Sequence, residues 1–165
     1  MNVKYEYAGC DPHAVYINEN FWDAFKNDLR SARESVQIFS PYIGEKRLKD
    51  ISGLLKACID RGVKICVFVE CPDPNYPSNR ERRKKLTLVK GGIERTGIHV
   101  TEIPDTHIKV AVIDDEIAWD GSLNILSQWE TNERMTRWES RDKAAEIKKS
   151  HQLHLCETCL KNASA

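Results

Sequence analysis

Residues 107–124, HIKVAVIDDEIAWDGSLN, place several polar groups at a spacing that suits chemistry on a phosphate group. The defining positions are His107, Lys109, Asp114, Gly121, Ser122 and Asn124. An imidazole can attack phosphorus without a metal ion that activates water. A lysine supplies positive charge for the phosphate oxygens, and hydroxyl and amide groups supply neutral hydrogen-bond donors. This combination predicts a site that breaks a phosphodiester, provided that a second group protonates the leaving alcohol.

A β-hairpin is the predicted carrier of these groups, because the stretch alternates in the manner of a strand. One face of the first strand is predicted to carry His107, Lys109, Ala111 and Ile113, and the other Ile108, Val110 and Val112. Residues 114–116 read as a tight turn, and Ile117–Trp119 as the partner strand. Gly121 is expected to relax the backbone so that Ser122 and Asn124 face His107.

Helices are predicted where apolar residues recur at steps of three and four. They cover Glu19–Ala32 (capped by Asn18), Lys46–Arg61 (ended by Gly62), a basic segment from Arg80 that falters at Gly91-Gly92 and ends near Gly97, and 142–160 (capped by Asp142). Strands are predicted where β-branched and apolar residues run together. They cover Ser35–Ser40, Val63–Glu70, Ile98–Ile103, Met135–Glu139 and a short segment within 3–7. The order strand, helix, strand predicts parallel pairing and an α/β domain.

His13 lies in a segment that reads as a loop, and we interpret it as a surface or capping histidine rather than part of a site. The densest positive cluster is Arg80, Arg82, Arg83, Lys84 and Lys85. Such a cluster is commonly a solvated helical face, but beside a phosphodiester site it predicts contacts to a nucleic-acid backbone. The preceding loop, CPDPNYPSN, is expected to overhang the carboxyl ends of the strands.

Bulk composition suits one domain over residues 1–165, either a whole protein or a piece of a longer one, with 151–165 as a terminal helix or tail. The formal net charge is zero, so any polyanion site must be local. No apolar run is long enough to cross a bilayer, and the first residues lack the pattern of a secretory signal. The sequence therefore predicts a cytoplasmic protein, with its six cysteines reduced.

The carboxyl-terminal sequence HQLHLCETC contains four residues of zinc-ligand type. These are His151, His154, Cys156 and Cys159. On a continuous helix they would not converge on one tetrahedral ion, so we favour the interpretation that they bind no metal. A site shared with further sequence or a partner, or redox chemistry, is the alternative.

The motif resembles the HKD signature of the phospholipase D superfamily, and the segments FSPYI and RGVKICVFV are similar to its amino-terminal half. The resemblance implies a mixed β-sheet flanked by helices on both faces. It also implies two motifs at one active site, without a metal ion or other cofactor. Since this chain holds one motif, it implies a twofold homodimer. His107 would then be the nucleophile in one subunit and the general acid in its mate.

Further roles follow from the same resemblance. Lys109 and Asn124 would bind phosphate oxygens with help from Ser122, and Asp114 would be structural. Glu133, or alternatively Glu130, would orient the histidine. Single-motif members include small endonucleases, restriction nucleases and modules of helicases, and the segment WDGSLNILSQWETNERMTRW is most similar to the last group.

The predicted function is a metal-independent nuclease that cleaves DNA or RNA through a covalent phosphohistidine. One alternative is a catalytically weak nucleic-acid-binding module of a helicase or a restriction or defence system. Another is a phospholipase or phosphatidyl transferase, although the sequence offers no amphipathic membrane helix. The expected partners are nucleic acid, a second copy of the chain and possible larger assemblies, but no membrane.

Overall fold

The computed structural model describes residues 3–5, 13–17, 19–104, 106–127 and 132–153. Their strands are β1 (Val3–Tyr5), β2 (His13–Ile17), β3 (Ser35–Phe39), β4 (Lys64–Cys71), β5 (His99–Pro104), β6 (Val110–Ile113), β7 (Ile117–Gly121) and β8 (Arg134–Glu139). Their helices are α1 (Glu19–Ser31), α2 (Glu45–Asp60), α3 (Arg80–Glu94) and α4 (Arg141–Ser150), with a 3₁₀ turn at Pro77–Asn79. All these strands form one sheet in the order β1-β2-β8-β7-β6-β3-β4-β5.

The sheet has a parallel part and an antiparallel part. β3, β4 and β5 are parallel, and α2 and α3 connect them as helical crossovers. β6 pairs antiparallel to β3, and β7, β8, β2 and β1 continue the antiparallel part. The edge where β3, β4 and β5 end is called the carboxyl edge below, and the edge where they begin the amino edge. The predicted α/β fold with a mixed sheet is confirmed.

Helices cover both faces of this sheet. On one face, α1 and α2 enclose a large core in which Phe21, Phe25 and Trp119 are fully buried. On the other face, α4 presents Ala144 and Ile147 to a smaller core that includes residues of β6 and β7. Gly62 follows α2 with a φ of 85°, the positive value that its predicted place at the end of this helix requires.

His13 was wrongly placed in a loop. It begins β2, which pairs with β8, and its ring lies 4.6 Å from the ring of Trp138. The segment HAVYI is short, and its partner strand comes more than a hundred residues later in the chain. Pairing between such distant segments leaves no local pattern in the sequence. The predicted cap Asn18 and the end of the predicted strand at 3–7 lie outside the described residues.

Two helix boundaries also differ from prediction. α3 continues through Gly91-Gly92 to Glu94, because buried Ile93 and partly buried Leu86 and Val89 fasten it to the core despite the helical cost of glycine. α4 begins after Ser140, whose hydroxyl accepts a hydrogen bond from Lys143 N, so Ser140 rather than Asp142 is the cap.

The prediction of a continuous helix over 142–160 was wrong. α4 ends at Ser150, and Gln152 has a φ of 51°. Leu153 N donates to Lys148 O, and this bond closes the end of the helix. Of the four zinc-ligand types, His151 lies in this turn and the other three lie outside the described residues. Within the described ranges, no three His, Cys, Asp or Glu side chains are grouped to hold a metal ion.

Cys58, Cys66 and Cys71 form no disulfide with one another, and the first two are buried. Among the described residues, no helix is both long enough and apolar enough to cross a membrane.

Candidate active site

The predicted hairpin is present as β6 and β7, with Val110 opposite Asp120 and Ile113 opposite Ile117. Its turn lies at the amino edge, where Glu116 N donates to Ile113 O. Asp114 and Asp115 both have a φ of 54°, the geometry of a type I′ turn. The open end of the hairpin therefore lies at the carboxyl edge, since Val110 is paired with Phe39 at the end of β3.

His107 and Lys109 lie just before β6 rather than within it, which corrects the prediction that they share a strand face with Ala111 and Ile113. The partner strand β3 ends at Phe39, so its pairing with β6 begins only at Val110. The Lys109 Nζ donates to the carbonyl O of His107 at 2.7 Å. The His107 side chain is exposed and that of Lys109 is half-buried, so the imidazole is open to a ligand.

Gly121 is required for a different reason from the predicted one. Its φ is not in the positive range, where among the described glycines only Gly62 and Gly97 lie. A Cβ at Gly121 would instead overlap the carbonyl O of Arg134 and lie 2.9 Å from the Cα of Met135. The missing side chain thus allows β7 and β8 to approach closely at the carboxyl edge.

Ser122 is bonded to the main chain at the start of β8 by two hydrogen bonds, one through its amide and one through its hydroxyl. Ser122 N donates to Arg134 O at 3.0 Å, and Arg134 N donates to Ser122 Oγ at 3.3 Å. Glu133, the residue predicted to orient the histidine, directly precedes Arg134 and is half-buried at the same edge. The alternative, Glu130, lies outside the described residues.

Asn124 is held by a turn that sequence reasoning missed. Ser127 N donates to Asn124 O, and Leu126 N donates to the buried hydroxyl of Ser40 at 3.0 Å. Gly44 N in turn donates to Leu126 O at 2.8 Å. The turn is therefore attached to the segment that follows β3, and Asn124 lies half-buried between anchored neighbours. In the sequence, only Ser40, the serine of FSPYI, could have indicated this attachment.

Asp114 lies at the far end of β6 from His107 and Lys109. Its carboxylate accepts main-chain hydrogen bonds from Arg33, Glu34 and Ser35 at 2.9, 2.8 and 3.0 Å. The donors are the first residue of β3 and the two residues before it, so Asp114 fixes the hairpin turn to the amino edge of the parallel strands. These hydrogen bonds hold Asp114 at the amino edge, away from the carboxyl edge, and its structural role stays a prediction.

A buried network beneath the hairpin was not predicted. Asp28, on α1 and only 7% exposed, accepts from Trp119 Nε1 at 2.8 Å and from Arg137 Nε and Nη2 at 2.9 Å each. The hydrogen bond with Asp28 raises the pKa of Arg137 against the effect of its burial. α1 is thereby bonded to β7, which ends at Gly121, and to β8, whose first residue is bonded to Ser122.

The basic cluster divides into structural and exposed members. Arg82 pairs with Glu70 at 2.6 Å and lies 4.2 Å above the ring of Tyr42, while Arg83 donates to Pro72 O at 2.7 Å. Both fasten the start of α3 to the carboxyl edge. Arg80, Lys84 and Lys85 are exposed. Lys84 forms an exposed ion pair with Glu81, and contact of all five residues with nucleic acid stays a prediction.

The remaining described histidines lie away from the carboxyl edge. His13 is paired with Trp138 near the end of β8, and His99 begins β5, so both are at the amino edge. His151 follows Lys148, which pairs with Asp115 in the hairpin turn. Within the described residues, His107 is thus the one histidine that the fold carries to this edge.

Comparison with known proteins agrees with this fold and motif. The sequence profile of the family described as "Cardiolipin synthase, PLD-like domain" matches residues 25–153. No curated protein matches the chain. NucT from Helicobacter pylori is similar in structure, with a TM-score of 0.65 and 20% identity over 85% of this chain and 92% of that one.

Two further solved structures share the fold. Nuc from Salmonella typhimurium, a phospholipase D family member, has a TM-score of 0.64 and 16% identity over 85% of this chain and 92% of its own. TrmBL2, an archaeal chromatin protein with a described mode of DNA binding, has a TM-score of 0.55 and 14% identity over 88% of this chain and 52% of its own. With the family profile matching most of its length, the chain belongs to the phospholipase D superfamily, in the PLD-like domain family.

Proposed function

We propose that this chain is a metal-independent phosphodiesterase that cleaves nucleic acid through a phosphohistidine, at a site built from two copies of the chain. The observation that carries the proposal is the hairpin. It brings His107 and Lys109, on one arm, to the same sheet edge as Ser122 and Asn124, which follow the other arm. Family membership supports phosphodiester chemistry there.

In the proposed reaction, a ring nitrogen of His107 attacks phosphorus and displaces the alcohol of the scissile bond. A phosphorus–nitrogen bond forms as the phosphorus–oxygen bond breaks, and His107 of the second copy gives the leaving oxygen its proton. Water then attacks phosphorus, the second histidine accepts the water's proton, and the bond to His107 breaks. Lys109, Ser122 and Asn124 would stabilise the negative oxygens during both steps.

Two copies are proposed because the reaction uses two histidines in opposite roles. In the described part of the chain, the other histidines lie away from the carboxyl edge. A twofold pair of chains would supply the second histidine from an identical surface.

Nucleic acid is the proposed substrate because exposed cations lie at the start of α3, which the loop 72–79 connects to the carboxyl end of β4. Such charges suit a repeating phosphate backbone. A second candidate is a nucleic-acid-binding module without turnover. The likeness of fold to TrmBL2, a chromatin protein that binds DNA, supports this second candidate.

The first experiment measures cleavage of labelled single- and double-stranded DNA and RNA, with and without EDTA. We expect cleavage that survives EDTA, an acid-labile protein–phosphate adduct, and a loss of about 10³-fold or more in His107→Ala. His99→Ala is the matched control, because His99 lies at the amino edge, and it should retain activity. Full activity in His107→Ala would refute the mechanism, whereas binding without cleavage would favour the second candidate.

A mixing experiment tests the shared site separately. Wild-type and His107→Ala chains are unfolded together, refolded and assayed at equal amounts. If each site needs both histidines, random pairing leaves about a quarter of the activity that the same total amount of wild-type chain shows. Independent sites would leave about half of it. Sedimentation at the assay concentration checks that the pairs form.

A further inference from the structure

A hollow of about 460 Å³ lies beside the start of α3, outside the histidine motif. Its lining includes Pro74, Tyr76, Pro77, Arg80, Arg83 and Lys84. The hollow therefore joins one aromatic ring to three cations, and none of these residues belongs to the motif.

Arg80 has no evident structural role. A cation in the first turn of a helix opposes the helix dipole, so its charge does not stabilise α3. Arg82 and Arg83, by contrast, have the protein partners described above. Arg80 forms no ion pair or side-chain hydrogen bond with another residue of the described ranges. Its charge thus remains available to a ligand.

Lys84 lies one helical turn after Arg80 and faces the same hollow. It pairs with Glu81 at 3.0 Å, but the two side chains are 60% and 75% exposed. Ion pairs this exposed contribute little, so Lys84 can exchange Glu81 for a phosphate at small cost. Lys85 is also exposed but does not line the hollow.

Tyr76 is 62% exposed, an unusual position for a large aromatic side chain. The loop that presents it is internally bonded. Asn75 N donates to the Asp73 carboxylate at 2.8 Å, Asn79 Nδ2 to Asp73 O at 3.1 Å, and Asn79 N to Tyr76 O at 2.9 Å. The main chain that carries this ring to the hollow is therefore fixed by hydrogen bonds within the loop.

We propose that this hollow is a nucleotide subsite for single-stranded nucleic acid, in which a base stacks on Tyr76 and a neighbouring phosphate binds Arg80 and Lys84. Stacking on an exposed ring requires an unpaired base, because a base within a duplex already has its faces covered. The subsite rests on the proposed function and specifies its substrate class.

The position of the hollow suits a strand that continues to the catalytic histidine. β4 ends at Cys71 and leads directly into the Tyr76 loop, while its neighbour β5 ends at Pro104, shortly before His107. Both the loop and the histidine segment thus leave the sheet at the carboxyl edge. A bound strand would have one nucleotide in the hollow and a phosphodiester farther along the same edge.

The test measures binding of a fluorescein-labelled single-stranded ten-residue oligothymidine by anisotropy, with the full chain carrying His107→Ala to prevent cleavage. Added Tyr76→Ala should weaken binding about 10-fold, while Tyr76→Phe should keep it. Arg80→Ala and Lys84→Ala should each lower the slope of log affinity against log salt by about 0.7. Lys149→Ala is the control with the same change of charge, because Lys149 is exposed on α4 at the other face of the sheet, and it should leave the slope unchanged.

Equal binding by the Tyr76→Ala and Tyr76→Phe proteins would overturn the subsite, as would an equal loss of slope in Lys149→Ala. Duplex of the same length should bind more weakly and be insensitive to Tyr76→Ala, and duplex binding with the same sensitivity would also overturn it. Cleavage by the wild type is scored separately. If wild type does not cleave but the binding pattern holds, only the proposed function fails; cleavage without this pattern defeats only the subsite.

Discussion

Trp119 Nε1 donates a hydrogen bond of 2.8 Å to Asp28 Oδ2, and this contact joins the first helix to the second arm of the motif hairpin. The same carboxylate binds Arg137 through two further hydrogen bonds. Trp119 lies on β7, which ends at Gly121, and Arg137 lies on β8, so the carboxylate of Asp28 connects both strands to α1. The motif is therefore supported from below by a residue that precedes it by about eighty positions in the chain.

Asp28→Ala should lower the free energy of unfolding by about 3 kcal/mol, because it leaves a largely buried guanidinium without its main partner. Urea unfolding measures the change. The double variant Asp28→Ala/Arg137→Leu removes the stranded charge as well and should be more stable than Asp28→Ala alone. Equal or lower stability of the double variant would contradict this account.

Asp114→Ala should cost about 2 kcal/mol, since it removes the acceptor for three main-chain N–H groups at the start of β3. Asp114→Asn should cost less, because asparagine tolerates a φ of 54° and keeps one acceptor oxygen. Thermal unfolding compares the two. In both variants the folded fraction should keep its activity; a loss of turnover without a loss of stability would show a chemical role instead.

Gly121→Ala should destabilise the protein by about 2 kcal/mol and reduce its activity, because the new Cβ must push the start of β8 and Ser122 apart. Gly53→Ala is the matched control. A Cβ at Gly53 has no atom within 4 Å, so alanine there should stabilise α2 by about 0.5–1 kcal/mol. Unfolding and cleavage assays on the two variants separate the local clash from a general effect of added methyl groups.

Glu102 should contribute stability that depends on pH. The hydrogen bond from Lys90, at 2.9 Å, lowers the pKa of Glu102 and raises that of Lys90. A carboxyl pKa that is lower in the folded state stabilises the protein above the unfolded pKa, and this contribution is lost as the pH falls through the folded value.

Glu102→Gln should therefore be less stable than wild type at pH 7 by about 0.5–1 kcal/mol, with a difference that shrinks between about pH 5 and pH 3. Urea unfolding across that range measures the difference. Lys90→Met removes the partner and should show the same trend. A difference independent of pH would contradict the ion pair as its source.

Most of the framework could be predicted because its signals are local. The apolar runs of β3, β4 and β5 and the stripes of α1 and α2 identify each element, and the acidic turn at 114–116 identifies the hairpin. The contacts that anchor the hairpin could not be predicted, since Asp28, Ser40 and Arg33 lie 91, 86 and 81 residues from their partners. Nothing in a single sequence connects such distant groups.

Gly121 and the basic cluster show a second limit. Glycine in a sequence indicates either a special φ or a close approach, and only the neighbouring β8 shows that the second applies here. Likewise, five adjacent cations look equivalent in the sequence. In the folded chain their surroundings differ, because Arg82 pairs with Glu70 whereas Arg80 is exposed to solvent.

The placement of Lys109 and Asp114 at opposite ends of β6 explains the spacing of the motif. The strand between them, Val110–Ile113, spans the sheet from one edge to the other at about 3.4 Å per residue. An added residue would turn every following side chain to the opposite face and separate the turn from its partners on β3. The number of residues between Lys109 and Asp114 in the motif is thus set by the length of β6 between the two edges of the sheet.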